Sequence, residues 1–202
     1  MIERTHAPIR ILWGIINSKQ VPSDPPSSLL ASFNARVSTQ QQLYDCENGP
    51  CLLPLNLIKV GSSAPITSSA RLATQVCRVK EHVLEYTQAC LSKFGLTQWC
   101  PDLCQTPYSL FNSACRIIAI DTFKQALISH AYPFLAPNTT YAQDMLLLMK
   151  IYDHFVHFYQ HSRYKRDAKV VGSVKMAEEA NPQYHARSHV RNLILCRYPF
   201  HR

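Results

Sequence analysis

The chain is 202 residues long, 47% hydrophobic and only 17% charged, with a formal net charge of +8 at neutral pH. That apolar content belongs to a folded domain with an ordinary core and excludes a chain disordered throughout. Its five glycines, at positions 14, 49, 61, 95 and 172, never fall within ten residues of one another. Rossmann fingerprints, Walker A loops, kinase glycine loops and nucleophile elbows all need clustered glycines, so none of these can be written in this sequence.

Residues 1–65 show no sustained hydrophobic period. They hold Pro8, Pro22, Pro25, Pro26, Pro50 and Pro54, a polar patch from Ser23 to Ser28, and the triplet Gln40, Gln41 and Gln42. This composition predicts a Pro/Ser-rich, largely irregular arm, within which Ile9 to Ile16 and Leu52 to Val60 are apolar runs able to dock as short segments. The best N-terminal apolar stretch, Ile11 to Ile16, is interrupted by Gly14 and is shorter than the ~7–15 residues of a signal-peptide core. Met145 to Met149, the longest strongly apolar run, is far short of the ~20 residues that cross a bilayer. The expectation is an intracellular protein, nuclear or cytoplasmic, with no transmembrane segment and with its eight cysteines reduced.

Helical periodicity starts at Ser68, where Leu72, Val76, Val79, Val83, Cys90 and Phe94 recur on one face and Gly95 offers a left-handed stop. A second helix is expected from Thr106 and Pro107, through Leu110, Ala114, Ile117, Ile118 and Leu127, to the break before Pro133. A third opens at Asn138, Thr139 and Thr140, where Thr140 and Gln143 have capping-box spacing, and runs to about Lys169 before Gly172. Its core stripe is Met145, Leu148, Met149, Tyr152, Phe155, Val156 and Tyr159. Two helical turns over 173–180, a break at Asn181 and Pro182, and a final helix over 183–197 complete the chain. The predicted fold is all-α: an irregular bundle of four to five helices over 66–202, preceded by the arm over 1–65.

Two constellations could carry a metal or a partner. Cys100 and Cys104, with His157 and His161, are two pairs of ligands at four-residue spacing, each able to grip one side of a tetrahedral Zn²⁺. The 52 residues between the pairs exceed finger spacing, so such a site has to be assembled by tertiary packing. On a regular helix His154, His157 and His161 lie opposite the core stripe with Lys150, forming an exposed histidine ridge with Phe158 in its midst.

Charge separates along the sequence. Residues 1–149 carry 11 basic and 9 acidic side chains, whereas residues 150–202 carry 10 and 4, together with six of the nine histidines. An excess of this kind suits a surface that meets polyanions. Arg163, Lys165, Arg166 and Lys169, interleaved with Tyr159 and Tyr164, are candidate phosphate contacts with tyrosines able to stack on bases. Arg187, Arg191 and Asn192 lie on an acid-free final helix and have the forked groups that match phosphates or base edges. The short helix before it, with the Asn181 and Pro182 break, suggests a helix-turn-helix. No two carboxylates share a helix face away from the core, and no local pattern singles out a nucleophilic cysteine, so catalysis has little support.

The function expected from the sequence is therefore non-enzymatic nucleic-acid binding or association through the basic, histidine-rich C-terminal region. The alternatives are a helical protein–protein interaction module acting through Phe158 and the histidine ridge, and a zinc-stabilised or metal-dependent fragment of a larger mobile-element protein.

Overall fold

A computed structural model of the chain describes residues 2–15, 19–60, 81–130 and 143–180. Among them the protein is helical, with no strand and only one isolated parallel bridge, between Lys59 and Gln98. No helix among the described residues is long and apolar enough to cross a membrane.

The first 65 residues depart from the irregular arm that their composition suggests. They carry α1 (Ile2–Trp13), α2 (Ser27–Asn34) and α3 (Gln40–Asn48), followed by a 3₁₀ turn at Leu55–Leu57. The physical reason lies in the ends rather than in periodicity. Gly14, at φ 71°, closes α1 in a Schellman motif, with its N–H on Ile11 O and the Ile15 N–H on Arg10 O. Thr39 opens α3 with a full capping box, its hydroxyl accepting from Gln42 N–H while the Gln42 side chain accepts from Thr39 N–H. These three helices are short, so their stability comes from burial. Ile9, Leu12, Leu29, Phe33, Val37 and Leu43 enter the same core as residues 91–156.

Helix α4 (Glu81–Lys93) ends as its sequence implies. Gly95 adopts φ 64°, its N–H meets Ser92 O, and Leu96 N–H meets Leu91 O, with Leu91 and Leu96 both fully buried against the core. Arg36, just after α2, donates to the carbonyls of Phe94 and Gly95 at 3.2 and 3.1 Å. A cation at this C-terminus offsets the helix dipole, and a Cβ on Gly95 would collide with its guanidinium. The part of the first expected helix before residue 81 lies outside the described residues.

Helix α5 (Leu110–Ile128) is the centre of the molecule and packs against α1, α2, α3, α4 and the helix that follows. It begins later than the Thr106–Pro107 signal suggests. Ser109 is the N-cap, accepting from Asn112 N–H, because Asn112 is itself fully buried and organises the preceding loop. Its side-chain carbonyl accepts from Asp102 N–H at 2.9 Å, and its amide donates to the carbonyls of Asp102 and Thr106 at 2.9 and 2.8 Å. The bend around residues 102–106 is thus pinned from inside the fold, and Thr106 serves as an acceptor rather than a cap.

The third long element begins with α6 (Met145–Asp153), capped by the Asp144 carboxylate on Leu147 N–H at 2.9 Å. The proposed start at residues 138–140 lies outside the described residues. α6 continues without a break through a π-helical segment, His154–Gln160, into α7 (His161–Lys169). Gly172, at φ 81°, then reverses the chain into α8, over 173–180, in agreement with the sequence reading of both features. Val174 is fully buried, its N–H bonded to the Asp167 carboxylate, and this ties α8 back onto α7.

Candidate nucleic-acid interface

The π segment determines which side chains of the third element face out. Its i→i+5 bonding widens the turn and delays every later residue relative to a regular helix. Leu148, Tyr152, Phe155 and Val156 are buried as the stripe requires, while Met145 and Tyr159 are exposed and Gln160 and Arg163 take the buried positions instead. The same rotation dismantles the histidine ridge. His154 stays exposed and Phe158 is 66% exposed, but His157 turns inward against the Tyr152 ring, with centroids 5.9 Å apart. Burial, helped by Arg116 and His161 and opposed by Asp153, holds its pKa down at about 4.

Polar satisfaction also fails in and just before this segment, as it does at Trp13 Nε1 in α1. The buried Tyr152 hydroxyl, His157 Nε2 and Gln160 Oε1 find no hydrogen-bond partner among the described residues. Regularity of the backbone and satisfaction of buried groups are lost together, a combination that marks functional stretches of helices.

The structure does not bring the four sequence-selected metal ligands together. Cys100 is buried, accepts a 3.5 Å contact from Gln98, and has its thiol pKa pushed up to about 11 by burial. Cys104 is exposed and sits instead beside Tyr164, 3.5 Å from its hydroxyl, which donates to Asp24 at 2.9 Å. His157 packs on the Tyr152 ring. Among the described residues no three His, Cys, Asp or Glu side chains gather in a metal-binding arrangement. Four-residue spacing supplies pairs, but packing has to supply the convergence, and here it directs the two pairs to different partners.

The basic run also divides. Arg163 is only 7% exposed: its guanidinium pairs with Glu178 at 2.8 Å, reaches the Gln20 carbonyl at 3.4 Å and lies over the Tyr159 ring. It is an anchor between α7, α8 and the N-terminal segment, not a surface cation. Lys165, Arg166 and Lys169 are exposed, and their i, i+1 and i+4 spacing places them within one 100° arc of α7. Tyr164 is occupied by Asp24 and Cys104, and Tyr159 by Phe155 and Arg163. Neither tyrosine is the free stacking ring that the sequence suggests.

What makes the exposed arc electrostatically open is the use of the nearby acids. Glu178 is spent on Arg163, Glu179 on Lys19 at 3.0 Å, Asp153 on Arg116 at 3.2 Å, and Asp167 accepts from Val174 N–H. Lys165, Arg166 and Lys169 form no ion pair among the described residues. Three cations without an ion pair on one face, about two to three turns beyond the exposed Phe158, make a basic and aromatic surface. The feature missed by sequence reasoning is the His154–Phe158 pair, which stacks with centroids 5.3 Å apart and 28° between planes. Its i, i+4 spacing on a polar helix face was a readable signal for it. Arg187, Arg191, Asn192 and the expected helix-turn-helix lie outside the described residues.

No protein-family model matches the sequence, and neither a curated protein nor a solved structure shows significant similarity to it.

Proposed function

We propose that the protein binds nucleic acid, without chemistry of its own, through the outer face of its third long helical element. Lys165, Arg166 and Lys169 contact phosphates, and Arg187, Arg191 and Asn192 extend the contacts to further phosphates or bases. The observation that carries this reading is the cation arc of α7, which forms no ion pair among the described residues while Glu178 and Glu179 are paired with Arg163 and Lys19. A solvated face that merely kept the protein soluble would not need its acids withdrawn, and cations of this kind gain affinity for a polyanion by releasing its condensed counterions. The net charge of +8 adds long-range attraction in the same direction.

The test is a salt titration of binding to labelled DNA and RNA, comparing wild type with the Lys165→Glu, Lys169→Glu double variant. Each phosphate contact contributes about one unit to the slope of log affinity against log salt, so the double variant should lose about two units of slope. Undetectable affinity at low salt, or an unchanged slope, would remove the reading. Capture of a protein partner that depends on Phe158 but not on the lysines would favour the interaction-module alternative instead.

A further inference from the structure

On the nucleic-acid reading above, the stacked pair about two turns before the cations bears on which nucleic acid is bound. Phe158 is the most exposed aromatic ring of the third element, at 66%, and the His154 imidazole stacks on it from one turn nearer the N-terminus. His154 thus covers one side of a ring that is otherwise largely open to solvent, and Ser162 and Lys165, four and seven residues further along the helix, are exposed. At 1.5 Å of rise per residue, Lys165 and Lys169 follow about 10 and 17 Å further along the axis. A flat aromatic platform with one face covered and one open, in line with unpaired cations, is the arrangement on which an unpaired base stacks while its neighbouring phosphates lie along the cations.

We propose that this face binds single-stranded nucleic acid, with one base on the open face of Phe158 and adjoining phosphates on Lys165, Arg166 and Lys169. A duplex keeps its bases stacked on one another and offers the ring nothing, whereas every unpaired base has a free π-face. An anionic membrane supplies the same phosphate chemistry, but anchoring there needs buried apolar area. Here one phenyl ring stands between an imidazole, a serine hydroxyl and lysines, and charge complementarity together with the stacked geometry favours the strand.

The experiment measures binding of three probes at one low salt concentration: a labelled oligothymidylate of about 12 nucleotides, within the span of typical single-strand sites, a hairpin duplex, and phosphatidylserine vesicles. Wild type is compared with Phe158→Leu, which keeps apolar bulk without a π-face, and Phe158→Tyr, which keeps the ring. Wild type should prefer the single strand. Phe158→Leu should weaken that binding about tenfold, as expected for loss of one stacked base, while leaving the duplex unchanged, and Phe158→Tyr should retain it. Equal losses for strand and duplex, no loss for either, or an effect confined to vesicles would overturn the single-strand assignment while salt-dependent nucleic-acid binding stood. Absence of binding to DNA and RNA at low salt would remove both readings. Phe158 is exposed, so the melting temperatures of the variants should match wild type and keep a folding defect from imitating the result.

Discussion

Helix α5 and the 145–169 element use the same secondary structure in opposite ways. α5 is a regular helix, buried along most of its length, with α1, α2, α3, α4 and α6 packed on it. Its one fully buried amide, Asn112, has its hydrogen bonds made. The 145–169 element is amphipathic, widened by a π segment at its middle, and leaves the Tyr152 hydroxyl, His157 Nε2 and Gln160 Oε1 without partners among the described residues. Cations and an aromatic pair are turned to solvent on its other side. The contrast shows a division of labour: stability is concentrated where the backbone is regular and satisfied, and a surface for binding is built where regularity gives way.

Breaking the scaffold should cost most. Asn112→Ala would strand Asp102 N–H and the Asp102 and Thr106 carbonyls around a cavity, a loss of about 3–5 kcal/mol by denaturant unfolding. A smaller loss would mean that the loop at 102–106 is held by other contacts.

Arg163→Ala tests the anchored part of the 145–169 element. Removing the guanidinium leaves the part-buried Glu178 carboxylate uncompensated and releases α8, which should destabilise by about 2–3 kcal/mol. If Arg163 were instead a surface cation like its neighbours, unfolding would barely change and only the salt slope of binding would fall.

Acidification probes the inward turn of His157. Its folded pKa, at about 4, lies below the ordinary 6.5, so between these values the unfolded chain takes up the proton more readily. The stability it contributes is present above about pH 6.5 and is lost as pH falls through about 4. Allowing for screening of a ring that is not fully buried, the loss should be about 1–2 kcal/mol, and His157→Phe should flatten that part of the profile. An unaltered profile would return His157 to the solvent side.

The smallest expected effect sharpens the comparison from the other end. The Lys165→Glu, Lys169→Glu variant, which should lose about two units of salt slope, should unfold within about 0.5 kcal/mol of wild type, because exposed lysines without ion pairs contribute little to stability. Loss of binding with unchanged unfolding would separate the surface from the scaffold.

Much of this was legible in the residues themselves. Helical class, the stops at Gly95 and Gly172, the buried stripe from Leu148 to Val156 and the exposure of Phe158 follow from rules that act over three to five positions, and the sequence reports those directly. The capping box at Thr39 and Gln42 was equally local and was masked only by the prolines and glutamines around it.

Other features depended on partners far away in sequence. The choice between anchor and surface cation at Arg163 was made by Glu178, 15 positions on, and Tyr164 was taken up by Asp24, 140 positions back. The first three helices had too little periodicity to announce themselves and gained their stability by burying Leu29, Phe33 and Leu43 in a core built mainly by later residues. Cysteine and histidine pairs at four-residue spacing proposed a metal site that packing then divided between Gln98, Tyr164 and Tyr152. Local sequence thus determined the helical class of the later elements and the stops at Gly95 and Gly172. Tertiary structure alone decided which charges are spent and which rings stay open, because burial and pairing are properties of neighbours that the chain brings together only when it folds.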